Sequence, residues 1–139
     1  MILLDTSGLF AAYDGRHPRQ AAALATAQQA STPRFLSPFV LAELDYLVTK
    51  WLGQAAELSL LDEVSSGAYE IVEMTALDVG EARDVIDRYA DLNIGLADAS
   101  IVVLSRRHGV NDVLTLDERH FRVLRGARDR PFRVLPADA

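Results

Sequence analysis

Short strand-like runs alternate with longer amphipathic stretches along the whole of this chain. Brief runs rich in apolar residues, each of three or four residues, predict strands. They lie at residues 2–4, 34–36, 69–72, 113–115 and 132–135. Strands that alternate with helices form a parallel sheet whose two faces are covered by helices. The sequence therefore predicts an α/β fold, specifically a three-layer α/β/α sandwich around a central, mostly parallel sheet.

Capping residues mark the predicted helices between these runs. Ser37 is a favourable N-cap, Pro38 suits the first helical position, and Gly53 suits the end of the same helix. Thr75 is a second N-cap candidate, and His108-Gly109 marks another helix end. Besides the helix that begins at Ser37, helices are predicted at residues 9–13, 17–30, 54–64, 75–90 and 96–107. A turn or short helix is predicted at residues 117–121.

Length and composition limit the possible classes of protein. The chain of 139 residues fits a single domain spanning residues 1–139, which buries enough surface to fold without a metal. It contains no cysteine, which excludes disulfides, thiolate zinc sites and cysteine nucleophiles. The sequence shows no signal-peptide pattern and no apolar run approaching ~18 residues. We therefore expect a cytoplasmic protein that does not associate with membranes.

The charge is unevenly distributed. The net charge of -6 argues against nonspecific binding to a phosphate backbone. Arginines nevertheless recur near the C-terminus, at positions 106, 107, 119, 122, 125, 128, 130 and 133. Either these arginines are solvated surface, or together they form a locally basic rim that binds phosphates.

Four carboxylates stand at positions where a common pocket is expected. Asp5 follows the first predicted strand and Asp117 follows the strand at 113–115, so both belong at the edge where ligands bind parallel sheets. Asp98 begins a helix that is apolar nearly all round, and Glu43 lies on or beside the apolar face of the Ser37-Pro38 helix. Carboxylates in such surroundings need a partner, because an isolated buried charge is too costly.

A divalent cation is the partner that this donor set favours. Clustered carboxylates repel one another unless a cation neutralises them, and oxygen donors suit Mg²⁺ or Mn²⁺. Such an ion polarises a phosphoryl oxygen and activates water. None of the three histidines shows ligand spacing, so none is assigned to the metal. The alternatives are that Asp5 and Asp117 cap helices, that Asp98 interacts with a helix dipole, and that Glu43 is solvated.

The ordered set of acidic motifs resembles the PIN-domain family, and most closely its VapC-type toxins of toxin–antitoxin pairs. The similarity covers essentially the whole chain and rests on Met1-Ile-Leu-Leu-Asp5-Thr6-Ser7, Ala42-Glu43-Leu44, Leu96-Ala97-Asp98-Ala99 and Leu114-Thr115-Leu116-Asp117 with His120-Phe121. The resemblance implies a parallel sheet flanked by helices. It also implies a Mg²⁺- or Mn²⁺-dependent endoribonuclease, a homodimer and inhibition by a cognate antitoxin.

The resemblance also implies roles for individual residues. Asp5 and Asp98 are expected to bind the metal, Asp117 to share it or bind its waters, and Glu43 to orient or deprotonate the attacking water. Thr6 and Thr115 are expected to hold the carboxylates or a phosphate. The stretch at residues 43–47 is similar to toxins that cut structured RNA, including the sarcin–ricin loop of large-subunit rRNA. Other members of the family cut tRNA, and the sequence does not distinguish the two.

Two other functions remain open at this point. One is a phosphatase or phospho-receiver domain on a similar sheet, which usually has paired acids after its first strand and a lysine near the site. Here Asp5 stands alone and the only lysine, Lys50, is in the middle of a helix. The other is a non-catalytic PIN module that binds RNA or protein.

Overall fold

Five parallel strands form the centre of the molecule. The computed structural model describes all of residues 1–139. The strand order is β3-β2-β1-β4-β5, and every neighbouring pair is parallel. The strands are β1 (Ile2–Leu4), β2 (Arg34–Leu36), β3 (Glu70–Ile71), β4 (Asp112–Leu114) and β5 (Arg133–Leu135). The predicted sheet is confirmed, and it is parallel throughout.

Seven helices flank this sheet, as the alternating pattern predicts. They are α1 (Thr6–Tyr13), α2 (Gln20–Gln29), α3 (Pro38–Leu52), α4 (Gln54–Ser65), α5 (Ala76–Arg88), α6 (Leu96–His108) and α7 (Glu118–Phe121). Two short 3-10 turns lie at Ala90–Leu92 and Ala127–Asp129. Successive helices pack in pairs, α1 with α2, α3 with α4 and α5 with α6. None of the helices is both long and apolar enough to cross a membrane.

Local sequence signals account for most helix boundaries. Ser37 and Thr75 cap α3 and α5 as expected, and Gly109 ends α6 with a positive φ of 69°. The first helix begins at Thr6 rather than at residue 9, because the side chain of Asp5 caps it. The second begins at Gln20, later than expected, because His17 accepts hydrogen bonds in a turn that precedes it.

Helix α6 packs against the central sheet. Leu3 and Leu4 are buried in the central strand, and Ile101–Leu104 of α6 is a continuous buried segment. The expectation that this helix is buried nearly all round is therefore confirmed. A buried helix beside the central strands brings its first turn, with Asp98, towards the edge where β1 and β4 end.

A close approach of backbones fixes α1 against the end of β4. A Cβ atom added to Gly8 would lie 2.6 Å from the carbonyl oxygen of Leu114, so only glycine fits there. This contact holds the first turn of α1, and with it Asp5 and Ser7, beside the residues that follow β4.

Gly8→Ala should therefore destabilise the protein by about 1–3 kcal/mol, because the methyl group forces α1 away from β4. Urea unfolding measures this change. Gly80→Ala is the matched control, since Gly80 lies on α5 with no atom within 4 Å of an added Cβ. There alanine should be neutral or stabilising by up to about 1 kcal/mol. Equal effects of the two substitutions would contradict the close contact.

Candidate metal centre

The carboxylate of Asp5 is held in a buried cradle of hydroxyl groups. Asp5 is only 3% exposed, and it follows β1 directly. The hydroxyls of Ser7 and Thr115 each donate to its Oδ2 atom at 2.7 Å, and the Ser7 backbone N–H donates to the same atom at 3.4 Å. Since all three reach Oδ2, the Oδ1 atom has no hydroxyl partner.

The same hydroxyls connect this carboxylate to the loop after β4. Ser7 Oγ accepts from the Leu116 N–H at 2.9 Å, and Thr115 Oγ1 accepts from the Asp117 N–H at 2.9 Å. The two hydroxyl oxygens lie 3.1 Å apart. The ends of β1 and β4 are thus joined through the groups that bind Asp5, and Asp117 is positioned by the same network.

The two expected hydroxyl residues differ in their contacts. Thr115 contacts the Asp5 carboxylate, whereas Thr6 is buried with no hydrogen-bond partner at Oγ1. Ser7 instead makes the contact on the β1 side, and the sequence interpretation missed it. The signal was available, because a serine two residues after a capping aspartate can hydrogen-bond that carboxylate locally.

Asp98, Asp117 and His120 form a second, adjoining group. His120 Nδ1 lies 2.8 Å from Asp117 Oδ2 and 3.0 Å from Asp98 Oδ2. One donor atom from each of the three residues lies within 4.8 Å of the others, a spacing that suits a metal ion. The sequence interpretation assigned His120 no role at the metal and did not predict its contacts. Its position three residues after Asp117 was the available signal, because such residues are neighbours on a helix.

Burial and mutual repulsion make these carboxylates reluctant to ionise. The pKa of Asp98 is raised to about 7, first by burial and next by the negative charge of Asp5, while His120 opposes the rise. Burial also raises the pKa of Asp5, against the hydrogen bonds from Ser7 and Thr115. The site therefore favours the binding of a cation, which would stabilise both ionised forms.

Glu43 is placed differently from the three aspartates. It is exposed on the second turn of α3, and its carboxylate makes no hydrogen bond or ion pair. Neither Glu43 nor Asp5 is among the donor atoms that cluster around His120, but Asp5, unlike Glu43, is buried and its charge acts on Asp98. Its helix nevertheless begins beside α6, because the Ser37 hydroxyl hydrogen-bonds the Ser100 hydroxyl at 2.7 Å.

A hard divalent cation fits the donors that the structure brings together. Carboxylate oxygens from Asp98 and Asp117 lie within 4.8 Å of each other. The charge of the buried Asp5 acts on Asp98, and one oxygen of Asp5 is free of hydroxyl partners. Oxygen-rich donor sets of this kind suit Mg²⁺ and Mn²⁺.

Several C-terminal arginines pair with acids of the same chain. Arg122 bonds Glu118 and Asp138, Arg133 bonds Asp112, and Arg107 bonds Asp78. Five arginines of the predicted basic rim have no ion pair. They are Arg106, Arg119, Arg125, Arg128 and Arg130. The positive charge available for phosphates is therefore smaller than the sequence indicates.

Comparison with known proteins identifies the family. The PIN domain family matches residues 2–126. Ribonuclease VapC26 of Mycobacterium tuberculosis is 39% identical over 135 residues, which cover 97% of this chain and 100% of that protein. The chain therefore belongs to the PIN domain family, in its VapC group, which confirms the resemblance drawn from the acidic motifs.

Solved structures share the fold at lower sequence identity. The toxin VapC20 of Mycobacterium tuberculosis, described as cleaving the sarcin–ricin loop, superposes with a TM-score of 0.78 at 20% identity, over 84% of this chain and 90% of that one. VapBC2 of Rickettsia felis, bound to promoter DNA, gives 0.67 at 21% identity, over 96% and 98%. FitAcB of Neisseria gonorrhoeae gives 0.57 at 21% identity, over 85% and 88%.

Replacing Asp98 with asparagine should stabilise the metal-free protein at neutral pH. The pKa of Asp98 is about 7 when folded and near 4 when unfolded, so the folded chain binds the additional proton between these values. Wild-type stability consequently falls as the pH rises from about 4 to about 7. The uncharged amide removes this dependence, so the variant's advantage should grow over that window to about 2–4 kcal/mol. Urea unfolding with a chelator present measures the difference.

Asp138→Asn is the control with the opposite sign. Hydrogen bonds from Arg122 hold the pKa of Asp138 at about 2, so its charge stabilises the fold above pH 4 and that stability is lost as the pH falls towards 2. This variant should be less stable than wild type at neutral pH. A metal-free Asp98→Asn variant that is less stable than wild type at about pH 8 would contradict the electrostatic account.

Proposed function

We propose that this chain is a metal-dependent endoribonuclease and the toxin of a toxin–antitoxin pair. The observation that carries the proposal is that Asp98 and Asp117 bring carboxylate oxygens together in a PIN fold, with the buried Asp5 close enough for its charge to raise the pKa of Asp98. The 39% identity to a protein named as a ribonuclease supports the class of reaction.

Asp5 and Asp98 would hold Mg²⁺ or Mn²⁺, with Asp117 sharing the ion or binding its waters. When bound, the ion would polarise a phosphoryl oxygen and lower the pKa of water at the site. Ser7 and Thr115 keep the Asp5 carboxylate in place, so that it need not reorient when RNA binds. Thr6, the next residue, is buried, and its hydroxyl has no hydrogen-bond partner.

Glu43 is proposed to orient or deprotonate the attacking water. Its carboxylate is not engaged by other protein groups, which leaves it available to a water or to RNA. Its exposure on α3, whose first residues are tied to α6, is compatible with a role at the border of the pocket.

The proposed substrate is a structured RNA, either tRNA or large-subunit rRNA. The arginines without ion pairs would bind its phosphates, because a guanidinium group can donate two parallel hydrogen bonds to one phosphate. The similarity of residues 43–47 to toxins that cut structured RNA supports this substrate class. A protein of this kind would act in the cytoplasm, where such RNAs are found.

A cognate antitoxin and a second copy of this chain are the proposed protein partners. One fold neighbour is the VapBC2 pair, which supports an antitoxin. Exposed apolar side chains on α3 and α4, namely Tyr46, Trp51, Leu58 and Leu61, offer a surface for a partner. An antitoxin arginine placed among the aspartates would neutralise the same negative charges that a bound metal ion would neutralise.

The receiver-type alternative has little support. Lys50 lies 5.7 Å and 5.2 Å from the ring centres of Tyr46 and Trp51, so it interacts with aromatic rings and not with the acids. A PIN module that binds RNA without cleaving it remains an outcome of the following test.

Cleavage of a labelled structured RNA should require Mg²⁺ or Mn²⁺ and stop when a chelator is added. Asp5→Asn and Asp98→Asn should each lower the rate at least about 100-fold, since even residues that only support a metal ligand typically account for 10–100-fold. Asp84→Asn, an exposed change on α5, is the control and should retain full activity. RNA binding without cleavage by wild type would favour the non-catalytic module.

Glu43→Gln should lower the cleavage rate while leaving metal affinity unchanged, because Glu43 is proposed to act on water and not on the metal. Calorimetric titration with Mn²⁺ measures the affinity, and single-turnover cleavage measures the rate. An unchanged rate would remove Glu43 from the mechanism, whereas a loss of Mn²⁺ affinity would make it a ligand.

A further inference from the structure

The ring nitrogen of His120 lies between two carboxylates of different elements. Nδ1 is 2.8 Å from Asp117 Oδ2 and 3.0 Å from Asp98 Oδ2, with Asp98 on α6 and Asp117 at the start of α7. A nitrogen that carries one hydrogen can direct it fully at only one of these oxygens. A single hydrogen bond from Nδ1 therefore leaves one of the two carboxylate oxygens without a well-directed donor from this nitrogen.

These separations match those of neighbouring ligands around one metal ion. Donor atoms at about 2.1 Å from an octahedral ion lie about 3 Å from their adjacent donors. The nitrogen and each carboxylate oxygen already have this spacing. Asp98 and Asp117 each offer an oxygen within 4.8 Å of the other, so the spacing of the three groups is compatible with one shared ion.

The His120 ring is held in position by its own short helix. The His120 backbone N–H donates to Asp117 Oδ1 at 3.0 Å, so that the other oxygen of Asp117 is the one near the ring. The next residue, Phe121, is fully buried and packs edge-on against Phe132, with ring centres 5.4 Å apart. This packing anchors α7, and the His120 side chain is only 19% exposed.

We propose that His120 is a direct nitrogen ligand of the metal, together with Asp98 and Asp117. This inference rests on the proposed function, which supplies the metal but assigns it only carboxylates. Carboxylates accept Mg²⁺ and Mn²⁺ alike, whereas an imidazole ligand favours transition-metal ions. His120 thus biases the site towards Mn²⁺ over Mg²⁺.

Pulsed electron paramagnetic resonance of the Mn²⁺-loaded full-length chain tests ligation directly. A coordinated imidazole gives a ¹⁴N modulation, whereas a histidine that only hydrogen-bonds a ligating carboxylate gives no comparable coupling. Wild type should show the modulation, His120→Gln should lose it, and the control His17→Gln should keep it. A Mn²⁺-bound wild type without ¹⁴N coupling overturns the proposal, even if His120→Gln fails to fold.

Metal selectivity supplies a second measurement. Calorimetric titrations with Mn²⁺ and with Mg²⁺ should show that His120→Gln lowers the ratio of Mn²⁺ to Mg²⁺ affinity by about tenfold or more, of the order that metal-site residues typically contribute. An equal loss for both ions would make His120 a positioning residue for Asp98 and Asp117, and would overturn ligation.

The same titrations separate this proposal from the proposed function. Asp98→Asn should bind Mn²⁺ much more weakly than wild type. If wild type binds neither ion, or if Asp98→Asn binds as well as wild type, the metal centre itself is wrong and both proposals fail. If Asp98 is required and His120 is not, only the ligation by His120 fails.

Discussion

The burial of the Asp5 carboxylate is the constraint on which the rest of the site depends. A charge in a nearly inaccessible position is costly unless hydrogen bonds or a cation compensate for it. Ser7 and Thr115 provide two short hydrogen bonds, and these hydroxyls also accept backbone N–H groups from the loop after β4. Compensation for one buried charge therefore fixes the relative positions of two strand ends.

The buried helix α6 brings a second charge into the same region. Its apolar surface packs against the sheet, so Asp98 in its first turn is largely removed from water and lies near Asp5. Each carboxylate makes ionisation of the other harder, and His120 offsets only part of this repulsion. The arrangement lowers the stability of the metal-free chain, a cost that is common at functional sites.

The sequence predicted the parallel sheet, and it predicted that Asp5 follows β1, that Asp98 lies in the first turn of α6 and that Asp117 follows β4, because these positions depend on local rules. Strand ends, caps and apolar periodicity are all visible over a few residues. The contacts of Ser7 with Leu116 and of His120 with Asp98 could not be read from local signals, because they depend on how the loop after β4 folds against α1 and α6. The pairing of Arg122 with Asp138 also needs tertiary structure, since it joins residues 16 positions apart.

Helix capping and metal binding, which stood as alternatives for Asp5 and Asp117, are compatible in this structure. Asp117 caps α7 through Oδ1, which accepts the His120 N–H, while its Oδ2 lies near Asp98 and His120. Asp5 caps α1 through Oδ2 and leaves Oδ1 free of hydroxyl partners. In each carboxylate one oxygen stabilises the fold and the other is available to the site. The hydrogen bonds that begin the two helices thereby also orient the groups proposed to bind the metal, so local folding and preorganisation of the site have the same physical cause.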